Sequence, residues 1–288
     1  VRRMLALLTP LVLLALLSLA SCDDGRMNAA EFRDRARQIA SRWHGSTADR
    51  AWRDGLVPLR GWHIEPDWQR MPDWVAVSET NSAWALHADL PGGSPPPAVL
   101  RWPDGSTLAA PLISAAAAYA ELTAPKFAEE ECPAKGCRLL RVTGVELGQG
   151  PMATSRGMLQ IPAWHFTVAG VPARFSVPAV DPAVVTARPT AEDDGVEEVT
   201  SFEAAADDPR RVRLRYGHGQ CDAIHGARIH ESAEVVVVDV DTEFIGEWCT
   251  LMLVHDEITV ALDAPVGDRI VLDAESGLPV LPTALAPH

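Results

Sequence analysis

Trp164-His165-Phe166-Thr167-Val168-Ala169-Gly170, followed by Phe175-Ser176-Val177, is the stretch that decides the fold class. Trp164, Phe166 and Val168 alternate with His165 and Thr167. A period of two puts the large apolar side chains on one face of a strand. Ala169-Gly170 then turns the chain into a partner bearing Phe175 and Val177. The reading is a hairpin with an aromatic core face, and it leaves His165 on the exposed side.

The same pattern extends both ways. Upstream, Leu140 and Val142 alternate with polar neighbours, Gly144 marks a bulge, and Val145 and Leu147 resume on the other parity. Downstream, Val212, Leu214 and Tyr216 alternate with Arg211, Arg213 and Arg215. Val235 to Val238 is apolar on both parities, as in a strand covered on both faces. Ile258, Val260 and Leu262 alternate again, and Ile270 to Leu272 begins a last strand that Asp273 to Gly277 turns back. Residues 131–288 therefore read as a mainly antiparallel β-rich domain, sandwich-like or a twisted sheet. Within it, 181–208 is rich in Ala, Pro, Glu and Asp and reads as an acidic linker.

Residues 28–125 follow a different rule. Asn28 and Glu31 form a capping pattern, and Phe32, Ala36, Ile39 and Trp43 make one apolar stripe of a helix ending near His44-Gly45. Ser46 or Thr47 caps a second helix carrying Ala51 and Trp52, stopped by Asp54-Gly55. Leu56 to Pro72 has no period and reads as loop. Trp84 to Leu90 is a strand, and Pro103-Asp104-Gly105-Ser106 joins Val99-Leu100-Arg101-Trp102 to Thr107-Leu108 as a hairpin. Ser114 caps an alanine-rich helix to Leu122. The fold class is α+β, with N-terminal helices and a small sheet ahead of the β-rich C-terminal domain.

Before all of this comes a leader. Arg2 and Arg3 precede an apolar run from Leu5 to Ala20, interrupted only by Thr9, Pro10 and Ser18 and short for a membrane span. Residues 1–21 read as a secretory signal peptide. Leu19-Ala20-Ser21-Cys22 resembles the lipobox of bacterial lipoproteins, which implies a diacylglyceryl thioether on Cys22 and a polar tether over 22–27. The expected location is the extracytoplasmic face of the cell membrane, and the membrane, through that lipid, is one expected partner.

The formal net charge is −14, and losing Arg2 and Arg3 with the leader deepens it, which argues against a nucleic-acid partner. Lys126 and Lys135 are the only lysines, an arginine bias attributable to genomic base composition. With Cys22 lipidated, four of the five cysteines remain outside the membrane, where disulfides persist. Three pairings are possible. The favoured one joins Cys132 to Cys137 across Pro-Ala-Lys-Gly, and Cys221 to Cys249 across a longer loop. Loop-closure entropy makes the short bridge worth about 2 kcal/mol and the long one about 3.5 kcal/mol. A C-x4-C spacing without a second close pair is a poor zinc site.

Chemistry-bearing motifs are sparse. His218, Cys221, Asp222, His225, His230 and Glu231 are the richest run, but their spacing matches no metal-ligand set, and Glu234 stands where a helical zinc motif needs histidine. Asp239, Asp241 and Glu243 lack the glycine and terminal glutamate of a calcium loop and read as a solvated strand end. No G-x-S-x-G elbow, phosphate loop or dinucleotide fingerprint occurs. No metal and no cofactor are expected. Arg156, in the turn Thr154-Ser155-Arg156-Gly157, and the shared face of Arg211, Arg213 and Arg215 are the candidate contacts for an anionic group. Their plain alternatives are a structural turn and a wetted strand face.

The lipobox, Cys132 with Cys137, Thr154-Ser155-Arg156-Gly157, Ile161-Pro162-Ala163-Trp164, Gly219-Gln220-Cys221-Asp222, Cys249 and Pro265-Val266-Gly267-Asp268-Arg269 resemble those of uncharacterised actinomycete lipoproteins. The likeness spans most of the chain after the leader, with Val266 where that family's pattern has leucine. It implies localisation and nothing catalytic. The expected function is a non-enzymatic binding or interaction module for an envelope protein or small ligand. The alternative is a secreted hydrolase or metal-dependent enzyme whose site is assembled from distant residues. A two-lobed transport-binding protein would need strands and helices alternating throughout, which this chain lacks.

Overall fold

A computed structural model describes residues 27–125, 136–191, 198–246, 249–250 and 252–286. Asn28 opens helix α1 (Ala29–Trp43) with a full capping box: its Oδ1 accepts from Ala30 N at 2.9 Å and Glu31 N at 3.1 Å, and the Glu31 carboxylate accepts from Asn28 N at 2.8 Å. Phe32, Ala36, Ile39 and Trp43 are its buried stripe. Helix α2 (Thr47–Asp54) follows, capped by Ser46. Asp49 pins the two together, accepting from Trp43 Nε1 at 3.0 Å, Gly45 N at 3.0 Å and Arg53 Nε at 2.7 Å. Three donors make the burial of that carboxylate tolerable.

Helix α3 (Asp73–Thr80) has no strong stripe, and the sequence pattern did not announce it. What holds it is tertiary: Val75 is buried, and the buried Ser78 hydroxyl donates to Trp74 O at 2.8 Å and accepts from Arg138 N at 2.9 Å. Strand β1 (Trp84–Leu86) comes next, then the hairpin of β2 (Ala98–Arg101) and β3 (Thr107–Ala110), turned at Gly105, and helix α4 (Ala115–Leu122) capped by Ser114.

The predicted hairpin is β5 (Gly157–Val168) with β6 (Phe175–Pro178), and the long strand β4 (Leu140–Thr154) pairs antiparallel with the other edge of β5. Register slips between Val142 and Gly144, the bulge that the glycine marks. The sheet runs β1-β4-β5-β6, with β1 parallel to β4. Trp164, Phe166, Val168, Phe175 and Val177 form the expected core face, covered by Val75 of α3 and by Ala115 and Ala118 of α4.

The expectation that His165 is exposed is overturned: only 8% of it is accessible. The opposite face of the sheet is also covered, because Leu56, Ile64, Leu100 of β2 and Trp102 of the β2–β3 turn pack with Leu159 and Ile161 of β5. Ile64 bridges to Ser176, the register partner of His165. Gly148 on β4 lets the imidazole lie flat there, since a Cβ at that position would sit 2.6 Å from the ring.

Strands β7 (Val199–Ala204), β8 (Arg211–Gly219), β9 (Asp222–Glu231), β10 (Val235–Phe244), β11 (Leu253–Ala261), β12 (Ile270–Asp273) and β13 (Leu281–Pro282) complete the chain. They form two sheets, β11-β8-β7-β13 and β12-β10-β9. Val199, Leu214 and Tyr216 from the first meet Val236, Val238, Val240 and Val271 from the second. The opposite parity, Val235, Val237, Ile270 and Leu272, packs against Phe32, Ala36, Ile39 and Trp43 of α1. That double coverage is why β10 is apolar on both parities.

The N-terminal helices thus complete a core whose strands lie some 200 positions later in the chain. Part of the stretch read as linker is structural: β7 lies inside the second half of it, and Thr186 N donates to Leu56 O at 2.8 Å. Among the described residues no helix is long and apolar enough to cross a membrane.

Candidate functional site

At one end of the sandwich the strands open into a cleft of about 470 Å³ lined by Glu198, His218, Arg228, Asp239, Thr242 and His255, among others. The β9–β10 ladder sets Arg228 directly opposite Asp239. Arg228 Nη1 lies 3.5 Å from Asp239 Oδ2, and its other terminal nitrogen pairs with Asp241. Glu198, just ahead of β7, accepts from Thr242 Oγ1 at 3.3 Å.

Burial dominates the electrostatics. It pushes the Glu198 carboxyl up to about 7, helped by the nearby Asp239 and Asp273 charges and opposed by the Thr242 hydrogen bond. Burial likewise pushes Asp239 up to about 6 against the pull of Arg228, with Asp273, Asp241 and Glu275 adding to the rise. Asp273 behind them is raised by burial too, although it accepts from Ser276 N and Oγ, both at 2.7 Å, and from Val199 N at 3.3 Å. Glu198 and Asp239 therefore give up their protons between about pH 6 and pH 7, well above ordinary surface acids.

Two polar atoms at the cleft are buried without a hydrogen-bond partner among the described residues, His218 Nε2 and Arg228 Nη1. His218 Nδ1 contacts Gly219 O at 2.9 Å, and a carbonyl only accepts, so this nitrogen carries the proton. In the neutral ring Nε2 therefore presents a lone pair. Two carboxyl groups line the same cleft and present acceptors to a ligand that brings donors or positive charge once they ionise, while Arg228 Nη1 is the one unmet donor among these groups.

Sequence reasoning placed the candidates elsewhere. Arg156 is 12% exposed at its side chain, stacks 4.2 Å above Trp102, pairs with Asp104 at 2.9 Å and donates to Asp54 O at 3.3 Å. It also contacts the Ser106 hydroxyl. These contacts tie the β4–β5 turn to the β2–β3 hairpin and the end of α2. Asp104 falls to about 2 through the hydroxyl and amide of Ser106 and through Arg156. Arg213 pairs with Glu203 at 2.6 Å and Glu257 at 3.5 Å, and Arg215 with Glu257 at 2.7 Å, so glutamates of β7 and β11 offset the arginine face that Arg211 begins.

The histidine-rich run is dispersed by its strand. His225 pairs with Glu243 at 2.7 Å and Glu231 with Arg269 at 2.7 Å, while His218 and Asp222 line the cleft. Among the described residues no group of three or more His, Cys, Asp or Glu could hold a metal ion. Cys221 and Cys249 are joined, with Cα atoms 6.0 Å apart. Cys137 is disulfide-bonded as well; Cys132 and Cys22 lie outside the described residues.

A second cleft, of about 370 Å³, runs between Trp62, Trp68 and Phe175 with Glu65, Glu121 and Ser176 on its walls. Ser176 Oγ lies 2.7 Å from His165 Nδ1, and His165 Nε2 lies 3.2 Å from Gln149 O. The carbonyl demands that Nε2 donate, so Nδ1 accepts from the serine hydroxyl. Burial and Arg174 hold the imidazole below its usual range. A neutral base oriented by a third group and bonded to a hydroxyl is the elementary arrangement of an activated nucleophile. Both residues, however, sit inside paired strands, with Ser176 bracketed by β5 and Ile64.

Glu198 and Asp239 were missed because each was read as part of a solvated acidic stretch. For Asp239 the available signal was the parity rule itself: a strand apolar on both faces buries whatever charge it carries. No protein family, curated protein or solved structure matches the chain.

Proposed function

We propose that the chain is a lipid-anchored lipoprotein of the extracytoplasmic face, a non-enzymatic binding module that takes a small ligand with a cationic, hydrogen-bond-donating group into the Glu198–Asp239 cleft. The anchoring half rests on Leu19-Ala20-Ser21-Cys22. The binding half rests on one observation: the buried His218 Nε2, without a hydrogen-bond partner among the described residues, lines the same cleft as two carboxyl groups that give up their protons between about pH 6 and pH 7. A cation entering such a site replaces the protons, and its charge offsets the cost of ionising buried acids.

The test is a panel of primary, secondary and quaternary amines, followed by calorimetry in buffers of different ionisation heat. A ligand of this class should release protons on binding near pH 6 to 7, and Glu198→Gln with Asp239→Asn should abolish the release. A ligand that binds equally well to that double variant, or one that is anionic, would overturn the assignment. Replacing Cys22 with alanine should move the protein from the membrane fraction to the medium; continued membrane retention would overturn the anchor.

The second reading, a secreted hydrolase, is favoured by the Ser176–His165 contact beside the aromatic cleft. Turnover of an ester or amide by the purified protein, lost in Ser176→Ala, would put it first.

A further inference from the structure

We infer that the end of the sandwich beside the cleft docks on a phospholipid bilayer through Phe244, Ile245, Met252 and Leu253. Large apolar side chains stand exposed singly in several places, which is ordinary. These four do not stand singly. Phe244 is 62% exposed, Ile245 67%, Met252 52% and Leu253 63%.

Ladder register places their backbones around one turn. Phe244 pairs with Asp222 at the start of β9, and Leu253 pairs with Gly219 at the end of β8. Ile245 N donates to Cys221 O at 3.0 Å, and Gln220 N donates to Met252 O at 3.3 Å. The two apolar pairs therefore flank one tight turn, Gly219 to Asp222, from opposite sides. That turn is closed by Gly219 N donating to Asp222 Oδ2 at 2.6 Å and stapled to Cys249 by the disulfide. Four hydrophobic side chains are thus presented on a cross-linked support, so little conformational entropy is lost when they are covered.

The occupant follows from where the described chain begins. Met27 lines the same cleft as Leu253. Cys22 is five residues before Met27, a reach of at most about 18 Å for extended chain. This inference rests on the anchored reading of Cys22: a lipid there would hold the chain within a short reach of the cleft that Met27 and Leu253 share. An apolar surface at the interface is buried by about 5–10 Å, the depth that such side chains reach. Lys and Arg are absent from 217–222, 244–246 and 252–255, while Asp222 and Glu243 are close by, so the fit is to zwitterionic headgroups, by apolar burial and not by charge.

The experiment compares amide exchange at 219–222, 244–246 and 252–255 in lipidated protein reconstituted in phosphatidylcholine vesicles and in the unlipidated Cys22→Ala chain in solution. Exchange at the tip should slow by about tenfold in the vesicles. The double variant Phe244→Asp, Leu253→Asp should return to solution rates while staying on the vesicles through its lipid, whereas Val99→Asp, at an exposed position on the β2–β3 hairpin, should behave as the parent.

Solution-like exchange in firmly anchored parent protein would overturn the tip proposal and leave the anchor standing. Absence of lipid mass on Cys22 would overturn the anchor; the tip proposal would then hold only if phosphatidylcholine vesicles slow exchange in the Cys22→Ala chain, and would otherwise fall. Slowing that depends on protein concentration without vesicles would assign the surface to a second copy of the chain and overturn the lipid assignment.

Discussion

Arg228 reaches across the β9–β10 ladder to Asp239, Nη1 to Oδ2 3.5 Å, with 13% and 8% of the two side chains accessible. It is the cation that the acids at this end share, since Asp241 pairs with it as well. Such a pair adds little over an apolar replacement of both partners, but removing one partner leaves the other charge buried and uncompensated. Arg228→Met should therefore destabilise the domain by about 3–5 kcal/mol at pH 8. The loss should shrink at pH 5, where Asp239 takes up a proton in the folded protein. Urea unfolding at the two pH values measures both; an equal loss at each would mean that packing, not charge, is what Arg228 supplies.

Glu198 and Asp239 make a prediction of opposite sense. Both have folded pKa values above the ordinary carboxylate range, about 7 and about 6. The unfolded chain then ionises first as pH rises, so stability from these groups is fully present below about pH 4 and is lost progressively up to about pH 7. Glu198→Gln removes the penalty and should stabilise the domain at pH 8 by about 1–2 kcal/mol, a figure reduced for partial solvent screening. Its effect should vanish at pH 4. Thermal unfolding across that range tests it, and a destabilised variant at pH 8 would show that the carboxylate is favourable where it sits.

What the sequence disclosed and what it hid follow one physical division. The Phe32–Trp43 stripe, the bulge at Gly144 and the double-sided apolarity of Val235 to Val238 are local patterns, and the helices and strands obey them. His165 was misread because its exposure depends on Ile64, roughly a hundred residues earlier, folding over the far side of the sheet. The cleft is hidden for the same reason. Glu198 precedes β7 and Asp239 lies in β10, on different sheets, and only sandwich closure brings their charges together. Periodicity reports which face of one strand is apolar, not what will cover the other.

Arg156 looks from sequence like a clamp for an anion, and its surroundings make it a clamp for the fold. Arg156→Ala loses the stacking on Trp102 and the pairing with Asp104. The stacking alone is worth about 0.5–2 kcal/mol, depending on its exposure. Lysine cannot reproduce a planar fork over an indole ring, so Arg156→Lys should recover little of the loss. Chemical denaturation of the two variants is the measurement. Full stability in Arg156→Ala, together with loss of a bound anion, would restore the ligand role.

Ser176 separates the binding reading from the enzymatic one. If its hydroxyl serves the fold, its task is to donate to His165 Nδ1, so that the buried imidazole has both nitrogens satisfied, the other by Gln149 O. Ser176→Ala then leaves a buried acceptor without a partner, at a cost of about 1–3 kcal/mol. His165→Phe would remove the unmet nitrogen but put a larger ring into a buried position that packs over Gly148, so it should not rescue the loss in full. His165→Val, smaller and apolar, should tolerate Ser176→Ala with less than the sum of the two single losses, because the unpaired acceptor is then gone. Sub-additivity in that double-mutant cycle, with amine binding at the Glu198–Asp239 cleft unchanged, is the expected outcome. Additive losses accompanied by disappearance of a measurable esterase or peptidase activity in Ser176→Ala would instead assign the pair to catalysis.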